Sequence, residues 1–148
     1  MRRKRVCRYC SRCRDRGGCD EGGVEHVAYL TLARPDAANT ITPQFGREFL
    51  ATVTEIKTTA TVRAVVMTGQ GKNFCFGGDL KGMIASGRDI QSYLTELATT
   101  LYAGMAQLVR LSAPVVAAVN GTAAGAGLGL ALAADFTIAG GTAKFAPA

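Results

Sequence analysis

The sequence reads as an α/β protein, and three observations carry that reading. Short apolar runs of the kind found in buried strands alternate with stretches whose apolar residues recur at helical spacing. Glycine-rich loops of small residues follow two of the runs. The composition, 48% apolar and 19% charged over 148 residues, suits one packed domain rather than a disordered chain. No apolar run reaches the roughly 18 residues a membrane-spanning helix needs. With no Trp and 7% aromatic residues, the chain has little with which to stack nucleic-acid bases.

The elements follow in chain order. Val27–Leu32 is a β-prone run that stops at Arg34-Pro35. Thr42-Pro43 pairs an N-cap residue with Pro at the first helical position, and Phe45, Phe49, Leu50, Val53 and Ile56 then mark a helix to about Lys57. Arg63–Thr68 is continuously apolar after its first residue and predicts a strand buried on both faces. Ile90, Tyr93, Leu94, Leu97, Leu101, Met105, Leu108 and Val109 make the stripe of a long helix from Asp89 to Leu111, which Pro114 prevents from continuing. Val115–Val119 is a third buried strand, Leu130–Ala134 a short buried helix, and Asp135–Ala139 a further strand, with Lys144-Phe145 starting another.

The net charge of +6 is unevenly placed. Residues 1–20 hold eight of the 17 basic residues against Asp15 and Asp20, which gives that segment +6; the other 128 residues balance nine basic against nine acidic groups. The basic character therefore belongs to a tail and says nothing of what the body binds. Cys7, Cys10, Cys13 and Cys19 also lie there, in the spacing C-x2-C-x2-C-x5-C. Three readings fit residues 1–22: a disordered or spurious leader, a loose nucleic-acid-binding arm, or a zinc or iron–sulfur knuckle short of apolar support. The first is preferred, and residues 23–148 form the domain. No apolar core follows the basic residues as in a signal peptide, and Cys75 is unpaired in the body, so a cytoplasmic location is expected.

Two loops concentrate the small residues, Phe74–Lys81 and Asn120–Gly129. Nucleophiles and general bases are nearly missing from both. What remains is backbone, which glycine and alanine leave open to close approach by a ligand. Two N–H donors aimed at one oxygen would make an oxyanion hole; the plainer reading is that small residues let helices pack tightly on a sheet.

Four blocks then make the sequence recognisable. They are Leu32-Ala-Arg-Pro35 with Asn39, Val62–Gly69, Phe74-Cys-Phe-Gly-Gly-Asp-Leu-Lys81, and Pro114–Gly121 with the Ala-Gly-Ala-Gly that follows. In this order and spacing they resemble the enoyl-CoA hydratase/isomerase (crotonase) superfamily. The resemblance covers all of the body from about Glu25 to Ala148. It implies the ClpP/crotonase spiral of ββα units, truncated here on its C-terminal side. It implies an acyl-CoA thioester as substrate, with coenzyme A as part of that substrate and no other cofactor, and a homotrimer or hexamer of the full-length form. Nucleic acid, membrane and metal are not expected partners of the body.

Residue by residue, the resemblance places the oxyanion-hole amides at Gly78 and Ala126. It places the coenzyme A cradle at Ala37 and along Phe76, Gly78, Asp79, Leu80 and Lys81, with Gly125 and Ala126 completing the substrate site. Lys81 meets a phosphate or is a solvated surface lysine. Asp79 reads as a helix cap rather than an acid–base catalyst, and Asp135 as structural. The position of the first hydratase glutamate is Gly129, and that of the second falls just after Ala148. The expectation is therefore enolate stabilisation of isomerase type, close to members acting on ring-epoxide or unsaturated phenylacetyl-type thioesters. The alternative is a catalytically silent, coenzyme A-binding fragment. His26 is expected at an edge or the surface, Cys75 is not expected to be a nucleophile, and Ser86, Ser92 and Ser112 lie in no nucleophile motif.

Overall fold

The structure, a computed structural model, describes residues 7–10 and 26–147. Strand β1 (Cys7–Cys10) pairs antiparallel with β2 (Val27–Leu32), setting Cys7 opposite Leu32 and Cys10 opposite Tyr29. The expectations for the remainder of residues 1–22, the cysteine knuckle included, lie outside the described residues.

Helix α1 (Pro43–Thr58) starts as its sequence requires. The Thr42 hydroxyl accepts a hydrogen bond from the Phe45 amide at 3.1 Å, and Pro43 occupies the first turn, where its missing N–H is not needed. Phe45, Phe49, Val53 and Ile56 recur at three- and four-residue spacing and are all buried. Strand β3 (Ala64–Gly69) follows. Its burial alternates, with Val65, Met67 and Gly69 covered and Ala64, Val66 and Thr68 only half covered, so the expectation of burial on both faces is corrected.

Helix α2 (Leu80–Ala85) is short, and α3 runs Ile90–Leu108 from Asp89, whose Oδ2 accepts from the Ser92 amide at 2.8 Å. The helix ends three residues before the expected Leu111. Its last turn tightens, with the Arg110 and Leu111 amides reaching back only three residues, to Gln107 and Leu108. Of the expected stripe, Tyr93, Leu101 and Leu108 are buried and Leu97 and Met105 pack against the core, while Ile90, Leu94 and Val109 face outward. Helices α1 and α3 meet through glycines: a Cβ on Gly46 would run into Thr100, and one on Gly104 into the Phe49 ring.

The remaining elements come in pairs. Strand β4 (Asn73–Cys75) follows β3, β6 (Thr122–Ala124) follows β5 (Val115–Val119), and β8 (Lys144–Ala146) follows β7 (Phe136–Ala139). The first strand of each pair joins a five-stranded sheet of order β1-β2-β3-β5-β7, parallel apart from β1; the second joins a parallel three-stranded sheet of order β4-β6-β8. Helices α2 and α3 follow the first pair, and α4 (Ala126–Leu132) follows the second. This is the expected spiral of ββα units.

Two further expectations are corrected. The short helix after the second loop begins at Ala126 rather than Leu130, so the loop is much shorter than its composition implied. Strand β7, expected as a further strand, begins at Phe136 rather than Asp135, and all four of its residues are exposed. Nor does any helix among them have the length and apolar character to cross a membrane.

Candidate functional site

Strands β4 and β6 are neighbours, with Asn73 opposite Thr122 and Cys75 opposite Ala123. Parallel neighbours end on the same side of their sheet, so the loops after them emerge side by side. The first runs Phe76-Gly77-Gly78-Asp79 into α2, and the second is Gly125 alone before α4. The two touch. A Cβ built on Gly77 would lie 2.9 Å from the Ala124 carbonyl oxygen and 3.5 Å from the Ala126 nitrogen. Glycine is required here twice over, since Gly77 has φ +83° and Gly125 φ +51°. Farther along, a Cβ on Gly127 would overlap the Cys75 carbonyl, so only glycine lets α4 start directly against β4.

The backbone around Gly78 is pinned on one side. The Ile41 amide donates to the Gly77 carbonyl at 2.7 Å, and the Asp79 amide donates to the Ile41 carbonyl at 2.9 Å. Groups that alternate along extended backbone face opposite ways, so the Gly78 N–H points away from Ile41. Among the described residues it donates no backbone hydrogen bond, and neither does the Ala126 N–H, which opens α4. Gly125 differs, because its amide is taken by the Ala146 carbonyl at 3.0 Å. Gly78 and Ala126 are both exposed.

A third segment reaches the first loop. Pro35–Ala37 forms a 3-10 turn, and the next carbonyl, that of Ala38, accepts from the Phe76 amide at 3.1 Å. Ala37 and the Phe76–Lys81 run, expected together on the resemblance, are thus brought together. Phe76 and Leu80 are 51% and 64% exposed, which leaves apolar surface beside the loops. Lys81 is exposed.

The hub of this segment is Asn39, to which the sequence reading assigned no role. It is 1% exposed and sits at φ +54°, a backbone conformation that Asn tolerates better than most residues. Its Oδ1 accepts from the Arg34 amide at 2.8 Å, and its Nδ2 donates to the Gln70 and Asn73 carbonyls at 3.0 and 2.8 Å. The first bond closes the turn, and the other two tie it to both ends of the β3–β4 connection. An Asn between a strand and a helix in Arg-Pro-Asp-Ala-Ala-Asn-Thr was the available signal.

Asp79 caps α2, its Oδ1 accepting from the Gly82 amide at 2.8 Å while Oδ2 lies 3.4 Å from an Arg34 guanidinium nitrogen. Both oxygens are engaged, which suits a cap and not a free base. Asp135 is structural: its Oδ2 accepts from the Val115 amide at 2.7 Å, holding the start of β5. His26 is exposed and bonds the Thr61 carbonyl at 2.9 Å, far along the chain from both loops.

The family model for enoyl-CoA hydratase/isomerase matches residues 22–148. The chain belongs to the enoyl-CoA hydratase/isomerase family. A Mycobacterium tuberculosis relative named a probable enoyl-CoA hydratase is 40% identical over 121 residues, covering 82% of this chain and 46% of that one. The 1,2-epoxyphenylacetyl-CoA isomerase of Escherichia coli is 34% identical over 127 residues, covering 80% and 46%. Among solved structures, Pseudomonas aeruginosa PA4980 aligns with a TM-score of 0.79 at 32% identity, covering 98% of this chain and 57% of its own. An enoyl-CoA hydratase from Bacillus anthracis aligns at 0.74 with 35% identity, covering 81% and 46%. The chain spans about half the length of the curated relatives it matches.

Two positions of this enoyl-CoA hydratase/isomerase family member bear on its chemistry. Gly129 lies in α4 beside open space, where a Cβ would meet only the tip of Met105 at 3.9 Å. Cys75 is buried, donates its thiol hydrogen to the Asn39 carbonyl at 3.1 Å, and is pushed up to about 11 by burial, partly offset by a hydrogen bond with the Gly77 backbone. Such a thiol stays protonated at neutral pH and is no nucleophile.

Proposed function

We propose that the paired loops bind an acyl-CoA thioester and that the Gly78 and Ala126 amides receive its carbonyl oxygen. One observation supports this reading: Gly77 packs against Ala126, which sets the loop that carries the Gly78 N–H beside the Ala126 N–H, and neither N–H has a backbone partner among the described residues. When a base from outside the two loops takes the proton from the carbon beside the thioester, negative charge gathers on that oxygen. Two fixed dipoles aimed at it lower the energy of the enolate without having to reorient. Ala37, Phe76, Leu80 and Lys81 supply the flank along which coenzyme A lies, with Asp79 and Gly125 holding the backbone of the two bends.

The chemistry proposed is of isomerase type. Adding water across a double bond needs carboxylates to activate that water, and Gly129, where the resemblance puts the first of them, has no side chain. The family's trimeric or hexameric assembly and a cytoplasmic setting accompany this reading. Gly129 equally favours a second reading, thioester binding without turnover.

The experiment is calorimetric titration of the full chain with an acyl-CoA thioester, alongside an assay for double-bond migration. Ala126→Pro is the decisive variant. Proline is well tolerated at the first position of a helix, so the substitution deletes the N–H and spares α4. Turnover is expected to fall about 10²–10³-fold, the loss of one oxyanion donor. Binding with no turnover selects the second reading, and no binding by the parent chain overturns both.

A further inference from the structure

We propose that a cavity with Asp79 in its wall is a second ligand site, one that takes the carboxylate or phosphate group of a small acid. It has a volume of about 530 Å³ and is lined by Arg34, Arg47 and Arg88 among others, with Gly78 and Ala126 outside its lining. Pockets that hold small ligands span roughly 300–1,000 Å³.

The charges decide what it takes. Arg47 and Arg88 come from different elements, α1 and the turn before α3, yet both reach Glu96. Arg47 takes Oε1, and Arg88 takes Oε2 at 2.9 Å. One carboxylate thus holds two guanidinium groups together and neutralises only one of them. Arg34 adds a third, paired with Asp79. Three positive charges against two negative leave the wall with an excess of one.

Geometry points the same way. Among the described residues, each of Arg47 and Arg88 gives a single terminal nitrogen to Glu96 and none to another carboxylate, which leaves the rest of each planar fork for a ligand. The Arg88 guanidinium lies over the Tyr93 ring, 5.6 Å from its centroid, which restricts the plane of that fork. Arg47 and Arg88 remain 55% and 47% exposed, so an anion reaches them from solvent. Held side by side and only half neutralised, two such forks match the oxygens of a carboxylate or phosphate better than those of water.

The test is calorimetric titration of the full chain with inorganic phosphate and, separately, with malonate, at one fixed ionic strength. Saturable one-site binding of at least one anion is expected, weakened at least tenfold in Arg47→Gln and in Arg88→Gln. Lys57→Gln removes the same charge from the far end of α1 and should bind as the parent does, which separates a site from general attraction. Circular dichroism of each variant shows whether it has folded, and the conservative Arg47→Lys keeps the charge while removing the fork. Binding of phosphate alone assigns a phosphate ester, and binding of malonate alone a carboxylic acid. If neither anion saturates, or if both glutamine variants bind like the parent, the proposal fails.

Discussion

Gly77 lies against the first residue of α4, its Cα so placed that a side chain there would stand 3.5 Å from the Ala126 nitrogen. The contact joins two loops separated by almost fifty residues of chain.

Gly77→Ala should therefore disturb both stability and binding. At φ +83° an added Cβ is strained, and it would crowd the Ala124 carbonyl at 2.9 Å. A loss of about 1–3 kcal/mol is expected in urea denaturation. Thioester affinity should fall further than that in protein that is still folded, because the loops must part to admit the methyl group. Affinity equal to the parent's would separate Gly77 from the site.

Two glycines in the same short helix should respond with opposite signs. Gly127→Ala forces a Cβ into the Cys75 carbonyl and is expected to destabilise by about 2 kcal/mol or more. Gly129→Ala meets only the Met105 methyl at 3.9 Å and should stabilise by up to about 1 kcal/mol, the helix propensity of Ala over Gly. Thermal melts of the two variants check the pair.

Asn39→Ala removes three hydrogen bonds from a residue 1% exposed. With two carbonyls and one amide left short of partners, a loss of about 3 kcal/mol is expected. Asn39→Gly should be milder by about 1 kcal/mol, since φ +54° suits glycine better than alanine. Equal losses in the two variants would put the whole effect in the hydrogen bonds.

The Cys75 thiol gives the fold a pH dependence of known sign. Burial raises it from its ordinary 9.0 to about 11. The unfolded chain therefore releases this proton first. The stability that the neutral thiol contributes is intact below pH 9 and lost as pH rises toward 11, on the order of 2–3 kcal/mol at 1.36 kcal/mol per pH unit. Cys75→Ala should show a smaller loss of stability over that interval when both proteins are unfolded in urea at pH 8 and pH 10.5. The same slope in both would place the effect in other groups.

Much of this protein was legible along its chain. Periodicity and caps marked β2, α1, β3, α3 and β5 to within a few residues, because Thr42-Pro43, Asp89 and Pro114 act locally and the apolar stripes are long enough to show their period. The three-residue strands β4 and β6 are not legible in the sequence, since three residues carry no period and their pairing with each other is a property of the sheet. The first turn of α4 is hidden in the same way: Gly127 and Gly129 are poor helix formers, and packing of Gly127 on Cys75 holds the turn.

The site divides in the same way. Its small residues and its lack of nucleophiles are written in the sequence, as is the membership of the enoyl-CoA hydratase/isomerase family that the four blocks indicated. That two bends lie against each other, that Asn39 ties its segment to the β3–β4 connection, and that Glu96 gathers Arg47 and Arg88 were decided only by tertiary structure. Local signals report what a residue does to its neighbours in the chain. Contacts across 30 to 50 residues depend on how two sheets stack their strands, and no window of sequence contains that geometry.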